Sequence, residues 1–77
     1  MTLDELAIGK PAKITAVNGQ GMLRRRLLDM GLTPNTKVMI RKIAPMGDPI
    51  EIHVRSYELT IRIEEAKNIV VEEEEQA

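Results

Sequence analysis

Three consecutive arginines, Arg24–Arg26, are the residues best suited to binding chemistry, because guanidinium groups bind phosphates and carboxylates. They lie within an apolar segment that reads GMLRRRLLDMG. Successive residues of a helix point about 100° apart, so the three side chains would spread over roughly 200° of the helix surface. They cannot form one patch, and this disfavours a phosphate-binding site.

A leucine next to these arginines points to a different use. When the regular apolar stripe of the helix is buried, Leu28 falls on the outward side, bordered by Arg24 and Arg25. Apolar residues with an arginine rim are typical of protein interfaces. The plainer interpretation is a solvated helix face whose arginine stems cover the edge of the fold. Arg25 also stands at i, i+4 spacing from Asp29, which predicts an exposed ion pair.

The remaining residues with reactive or metal-binding side chains are too few for a catalytic or metal centre. His53 is the only histidine and the chain has no cysteine, so His53 is expected to be a solvated strand residue. The acidic end EEEEQA is expected to be disordered and solubilising. No nucleophile, base and orienting partner can be assembled. We therefore expect no catalytic residue, no cofactor and no metal site, and no enzymatic activity.

The segment APMGDP, residues 44–49, is long and specialised for a hairpin loop. Methionine adapts well to contact surfaces, so Met46 is a candidate contact residue. The alternative is a rigid turn made by Gly47, Asp48 and Pro49, with Met46 folded back as a plug over the end of the fold. The sequence leaves both interpretations open.

The elements that would position these residues follow from periodicity and turn chemistry. Thr2 and Glu5 have capping-box spacing and predict a helical turn over residues 2–7. Gly31 predicts the end of a helix, and Pro34–Asn35 suit a type II turn. The predicted strands are 12–17, 36–43, 50–55, 58–63 and 68–71, with a helix at 22–30 and a single turn at 64–67.

This pattern predicts a mainly β fold: a small five-stranded barrel with one short helix after the first strand and a short N-terminal helical turn. Tyr57 is the only aromatic residue, so the core must be aliphatic. A flat sheet of this size would leave an apolar face in water, and curling removes that exposure. We expect one domain over residues 1–71 and an acidic tail over residues 72–77.

Charge and hydropathy set weak limits on partners and location. The net charge is −1, but four glutamates cluster at the C-terminal end, so the remainder carries about +3. That balance permits an anionic partner without requiring one. No apolar run approaches the roughly 20 residues of a membrane helix, and the start lacks the pattern of a signal peptide. We expect a cytoplasmic protein without direct membrane insertion.

Three stretches together resemble the FeoA family of bacterial ferrous iron uptake proteins, and the match runs from about Thr2 to Val71. They read LRRRLLDMGLTPNT, APMGDPIEIHVRSYELTIR and EEAKNIVV. The resemblance implies an SH3-like barrel and a partner, the FeoB-type membrane transporter, contacted at its cytoplasmic portion rather than through bound iron. Similar domains end DtxR-type iron-dependent repressors, but the sequence shows no helix-turn-helix pattern ahead of the domain, so we expect the free-standing kind.

The resemblance is densest in the helix and in the loop that contains Met46. Residues there that the core does not need are the partner-binding candidates: Arg24, Arg25, Leu28, Met46 and Asp48. The family usually has glycine at positions 35 and 56, where this chain has Asn35 and Ser56. Ser56 in a left-handed conformation would cost about 1 to 2 kcal/mol, which predicts an altered or strained turn there.

The first hypothesis is therefore an accessory protein that docks on the transporter and modulates it. Two alternatives belong to other classes. A small barrel with a basic body could bind nucleic acid, although a chain with one aromatic residue is poorly equipped to stack bases, and we expect no nucleic-acid partner. A regulatory module could instead self-associate weakly through exposed apolar residues such as Met22, Leu28, Met39 and Val70.

Overall fold

Five strands and three short helices make up residues 1–74, the part of the chain that the computed structural model describes. The mainly β arrangement is confirmed, with small shifts of the boundaries. A 3-10 helix comes first, then one strand, one α-helix, three strands, a short α-helix and a last strand. In chain order they are the 3-10 helix Leu3–Glu5, β1 Ala12–Val17, α1 Gly21–Asp29, β2 Lys37–Ile43, β3 Ile50–Val54, β4 Tyr57–Ile61, α2 Ile63–Ala66 and β5 Ile69–Glu73.

All five strands join in one antiparallel sheet with the order β4-β3-β2-β1-β5. Register shifts interrupt the β1–β5 ladder near Ile14 and the β2–β3 ladder near Ile40. Such bulges bend a strand and increase its twist, and the sheet therefore curls around a single core. That core is aliphatic, as expected, while Tyr57 is 39% exposed.

The predicted N-terminal turn is confirmed. The Thr2 backbone N–H donates to Glu5 Oε1 at 2.8 Å, which satisfies a donor at the start of the turn. Leu3 is fully buried, so the turn closes one end of the core. Thr2 also pairs with Val70, and the Met1 carbonyl accepts from the Val71 N–H at 2.8 Å. The N-terminus thus lies along the outer edge of β5.

Helix α1 ends at the predicted glycine. Gly31 has a φ of 95° and its N–H donates to the Leu28 carbonyl, while the Leu32 N–H donates to the Leu27 carbonyl. This pair of hydrogen bonds is a Schellman motif. The Tyr57 hydroxyl donates to the Met30 carbonyl, and a Cβ on Gly31 would collide with that hydroxyl. Glycine is required here by backbone conformation and by packing.

In the C-terminal part, two predicted strand ends move by two residues. Ile63 begins α2 instead of ending a strand, and β5 continues through Glu72 and Glu73, which the sequence had assigned to the tail. Glu72 lies opposite Lys13 in the ladder with β1, so opposite charges favour this extension. The predicted disorder of residues 75–77 lies outside the described residues.

Left-handed backbone occurs at one expected and one unexpected non-glycine residue. Asn35 has a φ of 74°, as the predicted turn requires. In the β3–β4 turn, Arg55 has the positive φ, 56°, and Ser56 does not. The turn is thus altered as predicted: Ser56 avoids the left-handed conformation, and Arg55 adopts it one residue earlier.

Candidate functional site

The outward face of α1 forms a shallow groove of about 660 Å³. Its main lining residues are Met22, Arg24, Arg25 and Leu28, which we call the α1 surface. Met22 is 87% exposed. Met22 was not among the five partner-binding candidates, although it lies three residues before Arg25 on the same helix face. A large apolar side chain left in water beside arginines is a contact feature.

The three arginines point to three different places, as their spacing predicted. Arg24 Nε donates to the Val17 carbonyl at 3.0 Å, so it also fastens α1 to the end of β1. Arg26 Nη2 lies 3.3 Å from Glu65 Oε2 in α2. Arg25 is exposed and has no ion pair with any residue of the described chain. The pair predicted for Arg25 and Asp29 is therefore absent, and Arg25 keeps its charge available.

Leu28 is half-buried and packs against the core, so only part of it lies on the outward side where the sequence places it. The prediction that one apolar stripe of α1 is buried assumes that the helix touches the sheet along one line. In a small barrel the helix contacts its neighbours through a broader apolar arc, and Leu28 belongs to the margin of that arc. Part of Leu28 nevertheless lines the groove.

The β2–β3 loop presents Met46 to solvent. Met46 is 94% exposed, so the plug interpretation is wrong. Asp48 faces the protein instead: Oδ1 accepts from the Ile63 N–H at 2.9 Å, and Oδ2 lies 3.9 Å from Arg62 Nη1. Asp48 therefore satisfies a free donor at the start of α2 and holds the loop in place.

The α1 surface and the loop are linked through α2 and do not form one groove. Arg26 contacts Glu65, whose Oε1 accepts from the Arg62 N–H at 2.9 Å, and Arg62 lies beside Asp48. Glu65 is almost buried, with 11% of its side chain exposed. Sequence reasoning missed this connection, because a glutamate in EEAK carries no sign that it will be buried.

Among residues 1–74, one carboxylate lies within 4 Å of His53. His53 Nδ1 lies 3.1 Å from Glu58 Oε1, and Arg41 Nη1 lies 3.4 Å from the same oxygen. Residues 1–74 contain no group of three or more histidine, cysteine, aspartate or glutamate side chains arranged to hold a metal ion. His53 and Glu58 could supply two metal ligands, and the Glu58 carboxylate already lies beside Arg41. A structural zinc site needs four ligands.

A second groove, of about 630 Å³, lies on the outer side of β2 and β3, where sequence reasoning expected no site. Pro34, Met39, His53 and Arg55 line it. Arg55 already makes a hydrogen bond within the protein, since its Nη2 donates to Thr36 Oγ1 at 3.2 Å.

Among the described helices, none is long and apolar enough to cross a bilayer.

Comparison with known proteins identifies relatives over nearly the whole chain. A family model described as FeoA domain matches residues 1–73. A curated relative from Porphyromonas gingivalis is a fusion of Fe(2+) transport protein A and the Fe(2+) transporter FeoB. It is 36% identical over 72 residues, which cover 94% of this chain and 8% of that protein. The chain thus spans a small part of the fusion protein.

Solved structures show the same fold. The NMR structure of a FeoA-like protein from Clostridium acetobutylicum has a TM-score of 0.91 and 36% identity, covering all of this chain and 90% of that one. The crystal structure of Stenotrophomonas maltophilia FeoA with zinc is described as a prokaryotic SH3 domain protein. It has a TM-score of 0.83 and 30% identity, and the match covers 94% of this chain and 89% of that one. The predicted SH3-like fold is confirmed. Similarity to T. acidophilum IdeR, at 19% identity and a TM-score of 0.83, concerns the fold alone.

Proposed function

The chain belongs to the FeoA family, and we propose that it is an accessory protein of ferrous iron uptake that docks on a FeoB-type transporter and modulates it by protein contact. The observation that carries this proposal is the fusion protein, in which FeoA and FeoB parts share one chain. Covalent linkage raises the effective concentration of two modules that bind each other. A partner joined covalently in one organism is the natural candidate for a non-covalent partner of this chain.

The α1 surface supports contact with another polypeptide. Met22 and Leu28 offer apolar area, and Arg25 offers a charge that no described residue neutralises. Such a surface suits a partner segment with apolar and acidic side chains, because charge complementarity steers association. In this proposal Arg24 contributes from the rim, and the protein works on the cytoplasmic portion of the transporter without a catalytic step.

The β2–β3 loop supplies a second point of contact through Met46. A fully exposed methionine at the tip of a loop can repack against a partner. Asp48 acts differently, because its hydrogen bond to α2 fixes the position of the loop. We therefore assign Met46 to direct contact and Asp48 to positioning.

The test is binding of the folded protein to a FeoB-type transporter in detergent, measured by co-purification and by a titration. We expect the double variant Met22→Asp, Arg25→Glu to bind at least tenfold more weakly, since contacts at the centre of an interface contribute more than about 1.4 kcal/mol. Met46→Asp tests the loop separately. Leu28→Asp is unsuitable, because a charge at a half-buried position would disturb the core.

The matched control is Ile8→Asp, the same type of change at a residue that is 55% exposed and lies outside α1 and the loop. It should bind like the unaltered protein. Equal binding by all four proteins would refute the assignment of these surfaces. Failure of the unaltered protein to bind the transporter at all would refute the proposed function.

A further inference from the structure

The two edges of the sheet differ in whether another segment of the described chain pairs with them. The outer edge of β5 is covered by the N-terminus through the Thr2–Val70 bridge and the Met1–Val71 hydrogen bond. No strand in residues 1–74 pairs with the outer edge of β4, Tyr57–Ile61. Natural proteins protect open edges with proline, with charged residues, above all lysine, or with a bulge. β4 contains no proline, lysine or bulge; Glu58 is its one charged residue, and its register with β3 is regular throughout.

The two-residue turn fixes which backbone groups of β4 point outward. It makes Val54 and Tyr57 a hydrogen-bonded pair. Pairing alternates along an antiparallel ladder, so the backbone groups of Glu58 and Thr60 face away from β3. No hydrogen bond from the described residues reaches these two N–H and two C=O groups. A surface depression lined by Arg26, Thr60 and Ile61 adjoins this end of the strand.

We propose that two copies of this chain associate by antiparallel pairing of their β4 edges, with the two-fold axis at Leu59. In this register Glu58 and Thr60 of one copy form hydrogen-bonded pairs with Thr60 and Glu58 of the second copy. The four outward groups of each strand are then satisfied by four intermolecular hydrogen bonds. The association is independent of the transporter and uses an edge rather than the α1 surface.

The side chains of β4 are complementary to themselves in this register. Leu59 lies opposite Leu59 of the second copy, and Tyr57 lies opposite Ile61, so apolar residues meet on one face. On the other face, each Glu58 lies opposite a threonine. A register centred on Glu58 would set two carboxylates opposite each other, which is unfavourable. A second copy is therefore a better occupant than an arbitrary strand.

The test is the dimer dissociation constant, measured by sedimentation velocity from micromolar to millimolar protein. The unaltered protein should show a concentration-dependent dimer. Thr60→Pro should abolish it, because proline lacks the outward N–H and leaves the ladder to β3 intact. Thr60→Ala keeps that N–H and should dimerise as before. Circular dichroism of both variants reports whether each retains the fold.

Charge changes at the same residue test the register. Thr60→Lys places a lysine opposite Glu58 of the other copy, and the two-fold symmetry makes two such pairs in each dimer. We therefore expect several-fold tighter association. Thr60→Glu places a second carboxylate there, and we expect several-fold weaker association. Opposite shifts of the two variants support the register, and equal weakening by both refutes it. A monomer at every concentration, or a dimer unaffected by Thr60→Pro in a folded protein, overturns the proposal.

Discussion

Neighbouring residues of identical type have different uses in this protein. Arg24 fastens α1 to β1, Arg26 pairs with Glu65, and Arg25 has no ion pair with the described residues. Replacing the three together would therefore mix effects on stability with effects on binding. A single change at Arg25 separates them, because an exposed side chain without partners contributes little to folding.

Arg55 is the residue whose backbone conformation least suits its type. Its φ of 56° disfavours any residue with a Cβ, whereas glycine accepts it. We expect Arg55→Gly to be more stable than Arg55→Ala by about 1 kcal/mol, measured by urea unfolding. Both variants lose the guanidinium contact with Thr36 equally, so their difference isolates the backbone term.

Ser56 is the control position, because its φ is not positive. The stability difference between its glycine and alanine variants should have the opposite sign. There Ser56→Gly should be less stable than Ser56→Ala by about 0.5 to 1 kcal/mol, through the greater freedom of glycine in the unfolded chain. The same preference at both positions would mean that the turn is not the one described.

At the scale of elements, the N-terminal turn connects a local hydrogen bond to the edge of the sheet. Glu5 accepts from the Thr2 N–H, and Thr2 in turn pairs with Val70 on β5. The hydrogen bond from the Thr2 backbone is the main cause that lowers the pKa of Glu5 below its ordinary value of 4.5. A nearby positive N-terminus adds to this effect.

The lowered pKa of Glu5 predicts a contribution to acid stability with a definite sign. A carboxylate whose pKa is lower in the folded state stabilises that state above its unfolded pKa, and the contribution is lost as pH falls through the folded pKa. We expect Glu5→Gln to have a lower midpoint of thermal unfolding than the unaltered protein at pH 7. Below about pH 4 the midpoints of the two proteins should approach each other. Glu64→Gln, which removes the same charge from an exposed position in α2, is the control. An equal pH dependence of the two variants would contradict the role of Glu5.

At the scale of the whole molecule, the sequence determines the elements better than their surfaces. Alternation of aliphatic residues predicts the five strands, and Gly31 predicts the end of α1, because each signal is local. The half-burial of Leu28 and the exposure of Met46 depend on where distant elements pack. Neither follows from spacing along the chain.

The candidate site is accordingly less predictable than the fold. The sequence named Arg24, Arg25 and Leu28, and the structure places them along one groove. It did not predict that Asp48 would cap α2, since that hydrogen bond spans fifteen residues. It also did not separate the two edges of the sheet, because the N-terminal cover of β5 is a tertiary contact.

The side chains of the folded chain are poorly suited to stacking with the bases of a nucleic acid. Binding to nucleic acid draws on unneutralised cations and on aromatic side chains that stack with bases. Tyr57, the only aromatic residue, uses its hydroxyl to hold the Met30 carbonyl. Several of the basic residues lie within 4 Å of a carboxylate, namely Arg26, Lys37, Arg41, Lys42 and Arg62. These pairs leave the basic excess of the body unchanged, so the lack of side chains that could stack with bases is what disfavours nucleic acid.

We accordingly expect no binding of single- or double-stranded oligonucleotides in fluorescence anisotropy titrations at low salt, with protein up to about 100 micromolar. Non-specific binding by a basic protein weakens steeply as salt rises, because condensed counterions are released for each neutralised phosphate. Arg25→Glu serves as the control, since it removes an exposed arginine of the α1 surface that has no ion pair with the described residues. Binding that falls steeply with salt and is weakened by Arg25→Glu would show that α1 contacts phosphates and would contradict a role in protein contact alone.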